Sequence, residues 1–274
     1  MNAGDLEEGD RLLARLSAVA EQLRQPVMHW YAALAQAKRC LISGPAQKAE
    51  RLAFAALDLG RRAEQADSML WFLSQLFVAR FLQGSLDGYH PYLPGETPEL
   101  TLPTSADITP SRSPQLVVDA GMSVVFSEIG RPDDARRHFN LVMPSLFEEL
   151  PHDFFGLLAP AYASIACARL SDRRSATRLY ELLEPHSNGF VGGGPSWMGT
   201  TTHYLGLLAA TLGHLDEADA RFGAAERSYV SLNATPWLAR LYGDWAATLL
   251  ATSPGDNQRA EQLLKRAATY SDIA

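Results

Sequence analysis

Apolar residues recur along this chain at the spacing of amphipathic helices. The stretch 205–226 shows the unit most clearly, because leucines there follow a 3.6-residue rhythm until Gly213 ends the helix. One face of the next helix then carries a small, a large and a small residue, namely Ala218, Phe222 and Ala225. No alternating strand pattern of useful length competes with this one. The pattern predicts an all-α fold.

The small, large, small triplet recurs five residues after a turn residue at four other places. The first residues of the five triplets are Ala49, Ala135, Ala176, Ala218 and Ala260. From Ala135 onward the steps are 41, 42 and 42 residues, and the 86 residues before it make two steps of 43. A helix pair of this kind cannot bury both its faces alone, so neighbouring pairs must stack. We therefore predict an α-solenoid of about six antiparallel helix pairs, tetratricopeptide-like although the period exceeds the usual ~34 residues.

These signals divide a single predicted domain, 1–274, into segments. At 5–24 we expect the second helix of a pair whose first helix is missing. Complete pairs are predicted at 26–63, 114–149, 152–186, 200–232 and 235–272, and a degenerate pair at 66–89. A Pro-rich insert is predicted at 90–112 and a Gly-rich turn at 187–199. The insert is predicted because its prolines forbid a helix. Solenoids normally begin with a polar capping element, so the unpaired first helix suggests that the chain is a fragment continuing N-terminally.

The Gly-rich segment GGGPSWMGTTTH, 192–203, is interpreted as a long turn and not as a phosphate cradle. A phosphate loop needs Lys and Ser/Thr directly after its glycines, whereas Pro195, Ser196 and Trp197 follow here. Thr200 to Thr202 are expected to cap the next helix. Gly-rich loops on a solenoid edge are also common binding edges, and Trp197 would then be the contact.

Composition excludes several classes of function. The 274 residues carry a net charge of -7, which disfavours direct contact with nucleic acid. The start of the chain has no signal-like segment and no apolar run has the length of a membrane span, so we expect a cytoplasmic protein. The seven histidines and two cysteines show no metal-ligand spacing, and no nucleophile motif occurs. We expect no metal, no cofactor and no enzymatic activity.

The helical segments resemble a known group of proteins. LRQPVMHWYAALAQA, AERLAFAALDLGRRA, LLAPAYASIACARLSDRRSATRLYELLEP and HYLGLLAATLGHLDEADARFGAAE are similar to the C-terminal tetratricopeptide-like region of large bacterial signalling ATPases. In that family the region follows an ATPase module joined to a class III nucleotide-cyclase-like domain or to a LuxR-type helix-turn-helix. The resemblance implies a sensor or scaffold arm for a protein partner or an adjacent domain.

A ligand of such an array would contact the first helix of each pair, which forms the inner face. Counting back from each turn residue, and adding Trp197, gives these candidate binding residues: Tyr31, Lys38, Trp71, Phe81, Arg169, Trp197, His203, Tyr242 and Trp245. Three interpretations stay open. The side chains pack on one another or under the insert, they bind an apolar segment of a protein partner, or they enclose a small apolar effector oriented by Lys38, Arg169 or His203.

Overall fold

The computed structural model describes residues 6–92, 113–148, 156–252 and 257–271. Within these ranges the chain is almost entirely helical, which confirms the predicted all-α class. The twelve helices of the described ranges are α1 (Leu6–Leu23), α2 (Pro26–Ser43), α3 (Ala46–Arg62), α4 (Ser68–Gln83), α5 (Ser113–Glu128), α6 (Pro132–Glu148), α7 (Leu158–Arg169), α8 (Arg173–Leu183), α9 (Thr201–Leu212), α10 (Leu215–Ser231), α11 (Thr235–Thr252) and α12 (Asn257–Ser271). Short 3-10 helices occupy Leu86–Tyr92 and Glu184–His186.

Local sequence signals account for several helix ends. Pro26 opens α2 at a position where its missing N–H is not needed. The carboxylate of Asp172 accepts the Ser175 N–H at 3.0 Å and so caps α8. Thr200 is the N-cap residue of α9, as predicted, although its side chain makes no capping hydrogen bond. Gly213 ends α9 at φ 84°, a left-handed conformation that suits glycine.

Helices that follow one another along the chain pack together, and so do alternate helices. The first kind of contact joins α2 to α3, α5 to α6, α9 to α10 and α11 to α12, and the second joins α2 to α4, α5 to α7, α7 to α9 and α9 to α11. The five alanines that open the triplets are all at most 1% exposed. Small residues there let the helix backbones approach closely.

The chain curves until a late helix meets early ones. Helix α11 lies against α2 and α4. The indole Nε1–H of Trp237 in α11 donates to the Leu41 carbonyl of α2 at 2.9 Å, and the Trp237 ring centroid lies 6.4 Å from that of Phe81 in α4. These contacts enclose an inner face formed largely by α2, α4, α7, α9 and α11.

Two predicted segments differ in the structure. The degenerate pair predicted at 66–89 consists of α4 and the 3-10 helix Leu86–Tyr92, which extends into the start of the insert predicted at 90–112. Residues 93–112 of that insert lie outside the described residues. The predicted Gly-rich turn at 187–199 is also wrong, because it contains the strands β1 (Phe190–Gly193) and β2 (Ser196–Thr200), which pair as an antiparallel hairpin. The expectation that no strand competes with the helices fails at this one place among the described residues.

Candidate functional site

The β1–β2 hairpin lies inside the curve of helices, with every residue of β2 buried. Its tip is held from two sides. The Lys38 Nζ of α2 donates to the Gly194 carbonyl at 2.9 Å. The Gln75 Nε2 of α4 donates both to the Pro195 carbonyl at 3.0 Å and to the Leu34 carbonyl of α2 at 2.9 Å. The hairpin is therefore fastened to the first two pairs of helices.

Trp197 anchors the middle of the hairpin among other aromatic rings. Its centroid lies 5.0 Å from that of Trp237, with the ring planes at 87°, and 6.2 Å from that of Tyr229. Gly199, at φ 80°, lies in the part of β2 where the strand register is irregular. A Cβ there would meet the Tyr229 hydroxyl and the Trp237 ring, so glycine is required for both conformation and space.

A series of polar contacts between side chains begins where β2 ends and α9 begins. The hydroxyl of Tyr229 accepts the Thr200 N–H at 3.1 Å and lies 3.2 Å from the Nδ1 of His203. The Nε2 of His203 lies 3.2 Å from the Oδ2 of Asp244, at ion-pair distance although without good hydrogen-bond geometry. His203 and Tyr229 are both buried. His203 of α9 thus lies between Tyr229 of α10 and Asp244 of α11.

The series of polar contacts continues through charged side chains toward the surface. Asp244 accepts from the Nε of Arg240 at 3.2 Å, and an Nη of Arg240 donates to Glu128 of α5 at 2.8 Å. Glu128 also accepts from Arg169 of α7 at 2.6 Å. The Arg240 guanidinium lies 3.9 Å from the centroid of the Phe81 ring, a cation–π contact. We call the following residues the inner polar network: Thr200, Tyr229, His203, Asp244, Arg240, Glu128 and Arg169.

Neighbouring charges keep Asp244 and Arg240 ionised although both are largely buried. Burial opposes ionisation of Asp244, but the Arg240 guanidinium and His203 outweigh it and hold the pKa of that carboxyl well below its usual range. Burial also acts against the charge of Arg240, yet Asp244 and Glu128 keep its pKa raised. Burial raises the pKa of the Tyr229 hydroxyl, which therefore stays protonated. The pair of Asp244 and Arg240 is thus held in its charged form beside a neutral Tyr229 phenol.

Lys38 has a different environment from the arginines. Its ammonium is half-buried at the hairpin tip, and burial lowers its pKa. Its one side-chain hydrogen bond within the described ranges is the one to the Gly194 carbonyl. The residue that sequence reasoning proposed as an orienting group for a ligand is thus directed at the protein's own backbone.

The structure brings together four of the other predicted residues. Phe81, Arg169, Trp197 and His203 all lie on the inner face, in or beside the inner polar network. Phe81, Trp197 and His203 are at most 6% exposed, so they pack against neighbours, as the first of the three interpretations expects. Arg169 is partly exposed at the outer end of the network.

Tyr242 and Trp245 do not join this group. The Tyr242 hydroxyl donates to Glu226 at 2.7 Å, and the Trp245 Nε1–H donates to Asp219 at 2.9 Å, both on α10. The inner side of α11 is instead the one that carries Trp237, Arg240 and Asp244. Counting back from a turn fixes where a helix ends, but it does not fix the angle at which the helix faces its neighbours.

Tyr31 and Trp71 form a separate aromatic group with Trp30. The Trp30 ring centroid lies 5.0 Å from that of Tyr31 and 5.7 Å from that of Trp71. Trp30 is fully buried, whereas Trp71 is half-buried and Tyr31 is 41% exposed. Of the predicted aromatic candidates, these two keep part of their surface accessible.

Sequence reasoning missed four residues of the inner polar network and the glutamine at the hairpin tip. The missed residues are Glu128, Tyr229, Arg240, Asp244 and Gln75. One signal was present, because α11 carries only two charged side chains in its 18 residues, and these are an arginine and an aspartate four positions apart. An isolated i, i+4 ion pair on an otherwise apolar helix indicates a buried pair.

Two features are absent from the described residues. Nowhere in these ranges do three or more His, Cys, Asp or Glu side chains gather as a metal ion would require. Of the helices described, each is too short or too polar to cross a membrane. In comparisons with known proteins, no family model, no curated protein and no solved structure matches the chain.

Proposed function

We propose that this chain is a non-catalytic, tetratricopeptide-like repeat module that acts as a sensor or scaffold arm of a bacterial signalling or transcription-regulating ATPase. Its partner would be another protein or an adjacent domain of the same polypeptide. The proposal combines the sequence resemblance with one structural observation, which is that side chains about one period apart contact each other.

Four contacts between polar side chains join residues that are 40 or 41 positions apart. Arg169 donates to Glu128 at 2.6 Å and Arg221 donates to the Tyr180 hydroxyl at 2.7 Å, each across 41 residues. The other two contacts, each across 40 residues, are Arg259 with Asp219 and Arg266 with Glu226. When residues about one period apart touch, successive units lie side by side. This is the geometry expected of stacked repeats.

The inner face is a poor site for a protein partner, because the chain's own hairpin fills it. An extended segment of a partner would have to displace β2, whose residues are all buried, and break the hydrogen bonds from Lys38 and Gln75. The same argument weighs against the alternative prediction of a small apolar effector in this groove. We therefore place the partner surface at the accessible aromatic residues of the first pairs, Tyr31 and Trp71.

The inner polar network supports a structural and not a catalytic role. Its histidine and tyrosine are 2% and 0% exposed, so a substrate atom has no route to them in this conformation. Its charged members are paired with one another, and each ion pair joins different helices or two turns of one helix. Such an arrangement fixes the relative positions of α5, α7 and α11.

Site-specific photocrosslinking tests the proposed function. We would replace Tyr31 with p-benzoyl-phenylalanine in cells that produce the protein, irradiate them and identify the crosslinked polypeptide by mass spectrometry. The matched control places the same photoreactive residue at Leu141 of α6, which is 59% exposed and far along the chain. We expect position 31, and not position 141, to crosslink to a polypeptide region that contains a nucleotide-binding ATPase module. Identical products at both positions, or a specific product without such a module, would contradict the proposal.

A further inference from the structure

A cavity of about 250 Å³ lies at the base of the hairpin, and Thr200 of the inner polar network is one of its lining residues. Nine residues line it, and they come from three segments: the approach to β1, the start of α9 and the middle of α10. Ser187 and Phe190 belong to the first segment, Thr202 to the second, and Arg227 and Ser228 to the third. Segments about 40 residues apart in sequence thus converge on one small space.

The charge of this lining has a single sign. Arg227 is its only charged residue, because the remaining eight residues are neutral and include no Asp or Glu. The Arg227 guanidinium is exposed and forms no ion pair or hydrogen bond within the described ranges, unlike Arg221 and Arg240. Arg227 is therefore the one cation beside this cavity among the described residues. A guanidinium presents several donors in a planar fork that matches an oxyanion.

Hydrogen-bond donors surround the same space. The lining includes the hydroxyl-bearing residues Ser187, Thr200, Thr202 and Ser228. Without a ligand the Ser228 hydroxyl donates to the Ala224 carbonyl at 3.2 Å, and the hydroxyls of Thr200 and Thr202 lie 3.0 Å apart, so these protons must turn from protein acceptors toward a ligand. The N-terminus of α9, which has no side-chain cap, adds a partial positive charge here.

We propose that this cavity binds a small organic phosphate, with Arg227 and the surrounding hydroxyl groups holding the phosphate oxygens. The half-buried ring of Phe190 and the methyl group of Ala224 supply the apolar part of the wall, which suits a short organic group. At about 250 Å³ the cavity is smaller than the ~300–1,000 Å³ of sites for drug-sized ligands, so the ligand is a small one. This inference goes beyond the proposed protein-contact function and does not depend on it.

Isothermal titration calorimetry would measure binding, and the tryptophan fluorescence of the chain would follow it, because the ring centroid of Trp197 lies 6.0 Å from that of Phe190. The probes are inorganic phosphate, phenyl phosphate, benzoate and uncharged benzyl alcohol. We expect saturable binding of phenyl phosphate, at least tenfold weaker binding of inorganic phosphate and benzoate, and no binding of benzyl alcohol. If inorganic phosphate binds as tightly as phenyl phosphate, the ligand is free phosphate and the organic part of the proposal fails.

Two variants and a control assign the site. Arg227→Gln removes the cation, and Ala224→Leu fills the cavity while keeping the cation; each is expected to weaken phenyl phosphate binding at least tenfold. Arg51→Gln, at an exposed arginine of α3 outside the cavity, should leave it unchanged. Circular dichroism confirms that each variant is folded. Absence of saturable binding to the wild-type chain, or equal loss in Arg227→Gln and Arg51→Gln, would overturn the proposal whatever the photocrosslinking shows.

Discussion

Replacing Phe222 with alanine tests the packing between repeats. Phe222 is the large residue of its triplet and is fully buried. Its ring lies so close to Gly206 of α9 that a Cβ on that glycine would be only 2.6 Å away, and the ring centroids of Trp245 and His203 lie at 5.7 and 6.1 Å. The ring therefore fills the space where α9, α10 and α11 meet.

The magnitude follows from the surroundings of the cavity that the substitution leaves. A buried Phe→Ala substitution costs about 3–5 kcal/mol, more where neighbours cannot move in. Gly206 has no side chain that could fill the space, and the larger neighbours are fixed by hydrogen bonds to Asp219 and Tyr229. We expect a loss of about 4 kcal/mol in the free energy of unfolding, a large part of the ~5–15 kcal/mol typical of a domain. Amide exchange in α9 and α11 should quicken as well.

The matched control is Leu264→Ala. Leu264 occupies the equivalent triplet position 42 residues later, but it is 46% exposed, and no later helix of the described ranges covers it. Its truncation should lower the free energy of unfolding by less than about 1 kcal/mol. Urea titrations followed by circular dichroism would measure both variants. A loss below about 1 kcal/mol for Phe222→Ala, or equal losses for the two, would refute the reasoning.

Three further predictions concern the hairpin, the network and the thiols. Gly199→Ala should lower the free energy of unfolding by at least about 2 kcal/mol, because φ is 80° and Tyr229 and Trp237 occupy the space that the new Cβ would need. Gly243→Ala, in the middle of α11 with no atom near the new Cβ, should raise the free energy of unfolding by up to about 1 kcal/mol. Equal urea midpoints for the two variants would contradict this prediction. Asp244→Asn should lower the free energy of unfolding by about 3 kcal/mol at pH 7, because the largely buried Arg240 loses the negative charge of one of its partners. Because folding lowers the pKa of this carboxyl, the stabilisation that Asp244 contributes is present above the unfolded pKa of about 3.9 and is lost as the pH falls further. The difference in unfolding free energy between wild type and Asp244→Asn should therefore narrow below about pH 4. A constant difference in urea titrations from about pH 7 to about pH 3 would argue against the ion pair. Burial raises the pKa of the Cys167 thiol to about 12 and raises that of Cys40 too, so neither should react with a disulfide reagent at pH 8 until urea unfolds the chain; rapid labelling of the native protein would contradict the burial.

Helices could be predicted from the sequence because their signals are local. Gly213, for example, ends α9 where the hydrophobic rhythm stops, and the triplet beginning at Ala218 is buried as its spacing indicates. The hairpin gave no such signal. A strand that is buried on both faces shows no alternation, and the glycines of 192–199 are equally typical of a loop. Strand and turn could not be distinguished from these residues alone.

The candidate site could be predicted only in part, for a different reason. Sequence reasoning placed Phe81, Arg169 and His203 on the inner face, where the structure also has them. It could not find the contact between Glu128 and Arg240, because these residues are 112 positions apart and meet only through the curvature of the whole array. Curvature depends on small angles added over many helices, and no single segment encodes it.

The helices pack in chain order, and they curve until α11 meets α2 around the hairpin. The nuclear Overhauser effect of the Trp237 indole N–H tests this most directly, since that group donates to the Leu41 carbonyl, 196 residues away in sequence. We predict cross-peaks from this proton to Leu41 and Ile42, together with slow exchange of the proton with solvent. Rapid exchange and no cross-peak to any residue of α2 would contradict the account.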